Sequence, residues 1–294
     1  MSKKTTRHNQ IDLLLTAALF GIFVVAYLPV WKNLIWSWYQ MEEYSHGFLV
    51  IPVCIYLLWL ERDALSETPK APSSWGLLLV FFSLVIYIFS HFAGVLTFAN
   101  LSMILLLSGM VVYFYGFLPL KKLLFPLLLL LFMIPFPSQI YSKLTIPIQL
   151  LVSKWSVSSA LSLGVPVYRE GNVIHLPDAA LQVVQACSGL RSMMSLLFLG
   201  ALLAYFGLKS NLARSVLLLA SIPVAVFVNI VRVFILILCS AYTPYDLTQG
   251  GLHTTFGIAI FLLALALLIL IEGVLSLWDK KPARRLSSSS SVSV

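Results

Sequence analysis

Three side chains that apolar helices ordinarily exclude, Cys187, Arg232 and His253, occur in three successive hydrophobic segments of the chain. A thiol, a guanidinium and an imidazole brought together make a set suited to acyl transfer through cysteine. Cys187 lies in Gln185-Ala-Cys-Ser-Gly-Leu-Arg191, directly before a long apolar run, with Ser188 as a candidate N-cap. Unpaired N–H groups and the helix dipole at such a position favour the thiolate, and a neighbouring cation favours it further. Gly189 leaves room for a substrate backbone, and Arg191 follows Cys187 by one turn on the same helix face.

Asn229 and Arg232 are spaced i,i+3 and share a face of the next apolar segment. An arginine at the centre of a membrane helix costs roughly 2.5–3.5 kcal/mol on insertion scales. No Asp or Glu lies deep in another apolar segment to offset that cost by pairing. Arg232 is therefore read as an anion or oxyanion binder facing a wet pocket, against the plainer reading that it snorkels outward. His253 follows Gly250-Gly-Leu, and Thr254 or Thr255 is expected to cap the helix that starts there. The dipole at that end disfavours a second positive charge, so a neutral imidazole is expected, fit for a general base or a hydrogen-bonding role. His46, in Tyr44-Ser-His-Gly47, either shapes a pocket rim or anchors at the interface. His175 is expected to be solvated. Cys54 and Cys239 are expected to pack, although Cys239 is a rival nucleophile at similar depth.

The elements that position these groups are apolar. The chain has 294 residues, 60% of them hydrophobic and 10% charged, with a mean hydropathy of +0.96. Lipid is the solvent for most of such a chain. The reading is an all-α polytopic membrane bundle of about eight spans: 11–30, 47–60, 75–94, 98–118, 122–136, 187–206, 215–239 and 254–277. With the N-terminus inside, thirteen Lys and Arg fall in inner segments and four in outer ones. That bias puts both termini in the cytoplasm and Cys187, Arg232 and His253 toward the outer face. The net charge of +8 thus reports topology, with no nucleic acid implied. Residues 138–163 read as an amphipathic helix lying on the outer membrane surface. Residues 165–177, with Glu170-Gly-Asn172 at their centre, read as a short β-hairpin leading toward Cys187. Residues 1–280 are taken as one membrane domain and 281–294 as a basic, Ser-rich disordered tail. Three cysteines without C-x-x-C give no disulfide framework, and the lack of H-E-x-x-H, G-x-S-x-G and phosphate-binding glycine loops leaves no metal or cofactor to expect.

Ala186-Cys-Ser-Gly-Leu-Arg-Ser192, Asn229-x-x-Arg232, the Gly-x-His253 segment and Tyr44-Ser-His-Gly47 together resemble the exosortase/archaeosortase family of integral membrane enzymes. The resemblance spans 44–60 and roughly 164–260. It implies a cysteine transpeptidase of the bacterial inner membrane, with Cys187 as nucleophile and Arg232 and His253 completing the catalytic set. In archaeal relatives the third position is an arginine, which leaves the role of His253 open. The implied substrate is an exported protein with a C-terminal sorting signal: a short motif such as Pro-Glu-Pro, a transmembrane helix and a basic tail. Ser188, Gly189, Arg191, Asn229 and His46 are the expected substrate contacts, and a surface polysaccharide or lipid is the expected acceptor. Some members carry an additional soluble domain that this chain lacks, so a separate partner is expected. The alternative is a transporter or lipid-flipping protein that binds an anion at Arg191 and Arg232. The sequence shows no inverted repeat to support it.

Overall fold

The computed structural model describes residues 21–177, 180–183, 190–243 and 250–279. They belong to two compact units, divided at Leu144 and Thr145. Cys187, Ser188, Gly189, the tail 281–294 and the first half of the 11–30 segment lie outside the described residues, as does the side chain of Arg191.

In the first unit, α1 (Leu28–Gln40) buries Val30, Leu34, Ser37 and Trp38, a stripe at helical spacing. The sequence reading ended a span at residue 30. Instead Pro29 stands in the first turn of α1, where its missing N–H costs nothing, and the helix continues. A 3-10 turn, Glu42–Tyr44, leads to α2 (Gly47–Leu60) and the short α3 (Arg62–Ser66). Next, α4 (Trp75–Ala93) and α5 (Leu96–Phe114) form a hairpin. Gly94 closes α4 at φ +65, the left-handed conformation in which glycine is at ease. At Gly76 any Cβ would strike the Tyr113 backbone, so the two helices meet without side chains between them.

The fifth segment read from the sequence (122–136) is a broken element. Helix α6 (Phe117–Leu129) tightens into a 3-10 turn over Leu130–Met133. The chain then leaves helical geometry and re-enters it as α7 (Ser138–Ser162), bent by 85°. Side chains serve the exposed backbone groups of that break. Trp38 Nε1 donates to the Met133 carbonyl at 2.8 Å, and His46 Nε2 meets the Phe132 carbonyl at 3.0 Å. Thr97 Oγ1 donates to the Pro135 carbonyl at 3.0 Å, while the Phe136 N–H donates to the Tyr44 hydroxyl at 3.0 Å. Cys54 packs as expected, buried, with its Sγ 3.4 Å from the Pro126 carbonyl.

In the second unit, the expected hairpin is present and carries a third strand that the sequence reading missed. Strands β1 (Tyr168–Glu170), β2 (Val173–His175) and β3 (Ala180–Gln182) form an antiparallel sheet in that order. Glu170 pairs with Val173 around Gly171-Asn172, and Ile174 pairs with Leu181. Leu181 and Val183 alternating with Gln182 were the sequence signal for β3. The sheet's Ile174, Leu181 and Val183 share a core with Val152, Val157 and Ala160 of α7 and with Val233, Leu236 and Ile237 farther along the chain. Helix α7 spans the residues expected of the surface helix, but Ser153 and Ser156 face inward. Each donates to a carbonyl, Ser153 to Gly171 at 3.1 Å and Ser156 to Ile230 at 3.0 Å, which makes a buried hydroxyl affordable.

Three helices complete this unit: α8 (Leu190–Gly207), α9 (Asn211–Tyr242) and α10 (Gly250–Trp278). Ser210 caps α9 through the Ala213 N–H at 3.1 Å. The Asp279 carboxylate takes the Ser210 N–H at 3.0 Å and also bonds the Lys209 N–H. Among the described residues, five helices are long and apolar enough to cross a membrane, or six if the bent pair α6–α7 counts as one span; α8 is shorter. The expected count of about eight is therefore not confirmed among the described residues: the fifth span is bent, and the start of the sixth and half of the first lie outside them.

Tyr44→Phe should destabilise the folded chain by roughly 0.5–1.5 kcal/mol, because the part-buried Phe136 N–H loses its acceptor; thermal unfolding in detergent measures this, and an unchanged midpoint counts against the bend being side-chain-dependent. The N–H groups of Ser210 and Lys209 hold the Asp279 carboxyl below the usual aspartate range. Its contribution is fully present above that usual range and is lost as pH falls through the lowered value. Hydrogen exchange at Lys209 and Ser210 should accordingly quicken on acidification in the parent chain, whereas in Asp279→Ala it should be fast already at neutral pH.

Candidate functional site

Helix α9 is unbroken through Pro223 and carries Arg232 ten residues before its end at Tyr242. Asn229 is buried one turn away, as the i,i+3 spacing requires. Arg232 is half-buried, and its Nη2 lies 3.3 Å from His253 Nε2. Twenty-one residues of chain separate the two, so the contact is tertiary. Since a guanidinium only donates, the imidazole Nε2 must offer its lone pair and the ring proton sits on Nδ1. Arg232 Nε is buried and has no hydrogen-bond partner among the described residues. A buried donor in that state is unusual and calls for an explanation.

His253 owes its place to the start of α10. Gly250 takes φ +72 and turns the chain into the helix. The helix thus begins earlier than its expected start at 254, and His253 falls inside the first turn. Thr254 and Thr255 do not cap it: each hydroxyl points back to a carbonyl four residues earlier, Thr255 to Gly251 at 3.0 Å and Thr254 to Gly250 at 3.4 Å. One turn beyond His253, Gly257 presents no side chain, and a Cβ there would lie 3.8 Å from Arg232 Nη2.

The level of α8 in this unit follows from another close contact. A Cβ on Gly200 would overlap Ser221 Oγ, so α8 and α9 cross there. Leu190, the first residue of α8, is ten residues from the crossing, and Arg232 is eleven from it along the antiparallel α9. At 1.5 Å per residue both stand roughly 15–17 Å away, on the same side. Leu181 of β3 and Val183 belong to the same buried core as Val233, Leu236 and Ile237, immediately beyond Arg232. Both described flanks of residues 184–189 therefore sit near the level of the guanidinium.

The remaining candidates are dispersed. Cys239 is half-buried on α9, seven residues past Arg232, hence near the same face about 10 Å along the axis. His175 is half-buried on the central strand β2, stacked on Tyr168 with centroids 5.4 Å apart and 3.8 Å from Glu170. His46 belongs to the first unit, 7% exposed, where its Nε2 serves the backbone of the bend.

The transmembrane exosortase family matches residues 38–270, well over half of the chain. The chain belongs to that family. None of the curated proteins and none of the solved structures matches it.

Gly257→Ala should leave activity close to that of the parent, because a methyl group at 3.8 Å is ordinary contact. Gly257→Leu should displace the guanidinium and lower turnover of any substrate by an order of magnitude or more, with membrane insertion unchanged. Equal activity in the two variants would mean that the Arg232–His253 contact does not serve the reaction.

Proposed function

We propose that the chain is a cysteine transpeptidase that cleaves C-terminal sorting signals of exported, membrane-tethered proteins at the outer face of the bacterial inner membrane. The observation that carries this reading is the Arg232–His253 contact with its unpartnered Nε–H. Family membership supports the reaction class.

In this reading the Cys187 thiolate attacks a peptide carbonyl just outside the substrate's transmembrane helix. The carbonyl oxygen becomes an oxyanion, and the free Nε–H of Arg232 donates to it. The C–N bond breaks, the leaving amine takes a proton, and the acyl group stays on sulfur as a thioester. An acceptor nucleophile, from a surface saccharide, a lipid or water, then displaces the thiol. His253 holds the guanidinium by accepting one of its five N–H groups, which makes it a positioning residue for Arg232 in addition to any action on the thiol. Ser188, Gly189, Arg191 and Asn229 are assigned to substrate contact, and both chain ends to the cytoplasm.

Cys187→Ala should leave the protein in the membrane and abolish processing, whereas Cys239→Ala should process normally. Arg232→Gln should retain substrate binding and lose about 10²–10³ in kcat, the usual cost of one oxyanion donor. Mass spectrometry of substrate-treated protein checks the nucleophile: an acyl adduct on Cys239, or processing by Cys187→Ala, overturns the assignment.

A further inference from the structure

The order β1-β2-β3 leaves β1 and β3 each with one unpaired side. The register fixes which backbone groups lie there. The Val183 N–H donates to the Asn172 carbonyl at 3.0 Å, and Ile174 pairs with Leu181. Hydrogen-bonded pairs alternate along an antiparallel ladder, so Leu181 and Val183 turn their backbone groups to β2. Ala180 and Gln182, opposite His175 and Val173, turn theirs away from the sheet. The Ala180 N–H and C=O and the Gln182 N–H have no partner among the described residues. Ala180 is exposed and Gln182 half-buried, so solvent reaches this side. On β1 the same alternation turns only Arg169 outward.

The two edges differ in how they are guarded. Proteins blunt a sheet edge with charge, proline or a bulge, because unpaired N–H and C=O groups invite another strand. Arg169 and Glu170 put charge on β1. Ala180-Leu181-Gln182 has neither charge nor proline, and its register with β2 runs without a bulge. Such an edge selects its ligand by geometry. Its outward N–H groups repeat about every 7 Å, the two-residue repeat of an extended backbone, and only another extended backbone offers matching groups in a row. Peptides bound in this way take affinity from main-chain hydrogen bonds and specificity from alternate side chains. The buried face of β3 ties the edge to the reaction site. Leu181 and Val183 share a core with Val233, which directly follows Arg232. Of the three strands, β3 is also the nearest in sequence to Cys187.

We propose that the substrate segment to be cleaved binds as an extended strand added to the free edge of β3, an inference that rests on the reading of the chain as a peptide-cleaving enzyme. The test is residue-resolved hydrogen exchange on full-length Cys187→Ala in lipid nanodiscs holding one copy each. The probe is a synthetic peptide of Pro-Glu-Pro, an apolar helix and a basic tail. The Ala180 and Gln182 amides should exchange fast alone and about tenfold slower with the peptide, while the Arg169 amide is unchanged. Gln182→Pro removes an outward N–H and no ladder bond, and should weaken peptide binding about tenfold. Arg169→Pro makes the same change at the other edge and should bind as the parent does. Ala180 and Gln182 amides left unprotected at every peptide concentration overturn the proposal, as does equal loss of binding in the two proline variants. Slow exchange without peptide in discs holding two copies would assign the edge to self-pairing, and overturns it too. An acyl adduct on Cys187 of the parent chain, formed from the same peptide while both amides stay unprotected, sinks the edge alone. Protection without an adduct sinks the nucleophile alone.

Discussion

A backbone N–H or C=O left bare in hydrocarbon costs several kilocalories per mole, and that constraint governs this chain wherever it departs from helix. The break between α6 and α7 is the largest departure. Its carbonyls at Phe132, Met133 and Pro135 and its N–H at Phe136 are met by His46, Trp38, Thr97 and Tyr44. Those four side chains come from α1, the turn after it, the edge of α2 and the start of α5. The bend thus ties together elements up to about a hundred residues apart, and its proline pair removes two donors that would otherwise need partners.

The same constraint shapes the second unit. Ser153 and Ser156 are tolerated in its core because each hydroxyl finds a carbonyl. Arg232 stands apart: one N–H goes to His253, the neighbouring Gly257 leaves space, and Nε–H has no partner among the described residues. A chain that satisfies groups so thoroughly elsewhere gives weight to the few it leaves open.

Much of this was legible in the residues. An intramembrane arginine without an acidic partner and a histidine behind two glycines pointed to each other before any coordinates, and the structure places them in contact. The hairpin around Gly171-Asn172 and the long helix over 138–162 followed from turn chemistry and amphipathic spacing. Other features depend on tertiary partners. Pro29 marks both a helix end and a helix start, and only the stripe Val30, Leu34, Ser37 and Trp38 decides between them. That Ser153 and Ser156 of α7 turn inward depends on acceptors, Gly171 and Ile230, that are remote in sequence. The break in the fifth segment was not legible because hydropathy registers an apolar run without registering that it bends by 85°.

Helix α9 behaves as a ruler. Its first residue is fixed by the Ser210 cap and the Asp279 carboxylate, its middle by the Gly200–Ser221 crossing, and its far half by the sheet. Removing a single residue between Ser210 and Arg232 would turn the guanidinium by 100° and shift it by 1.5 Å, out of line with His253. Divergence in this lineage should therefore tolerate changed length in the loops that join the rods while holding the count of residues inside this one constant.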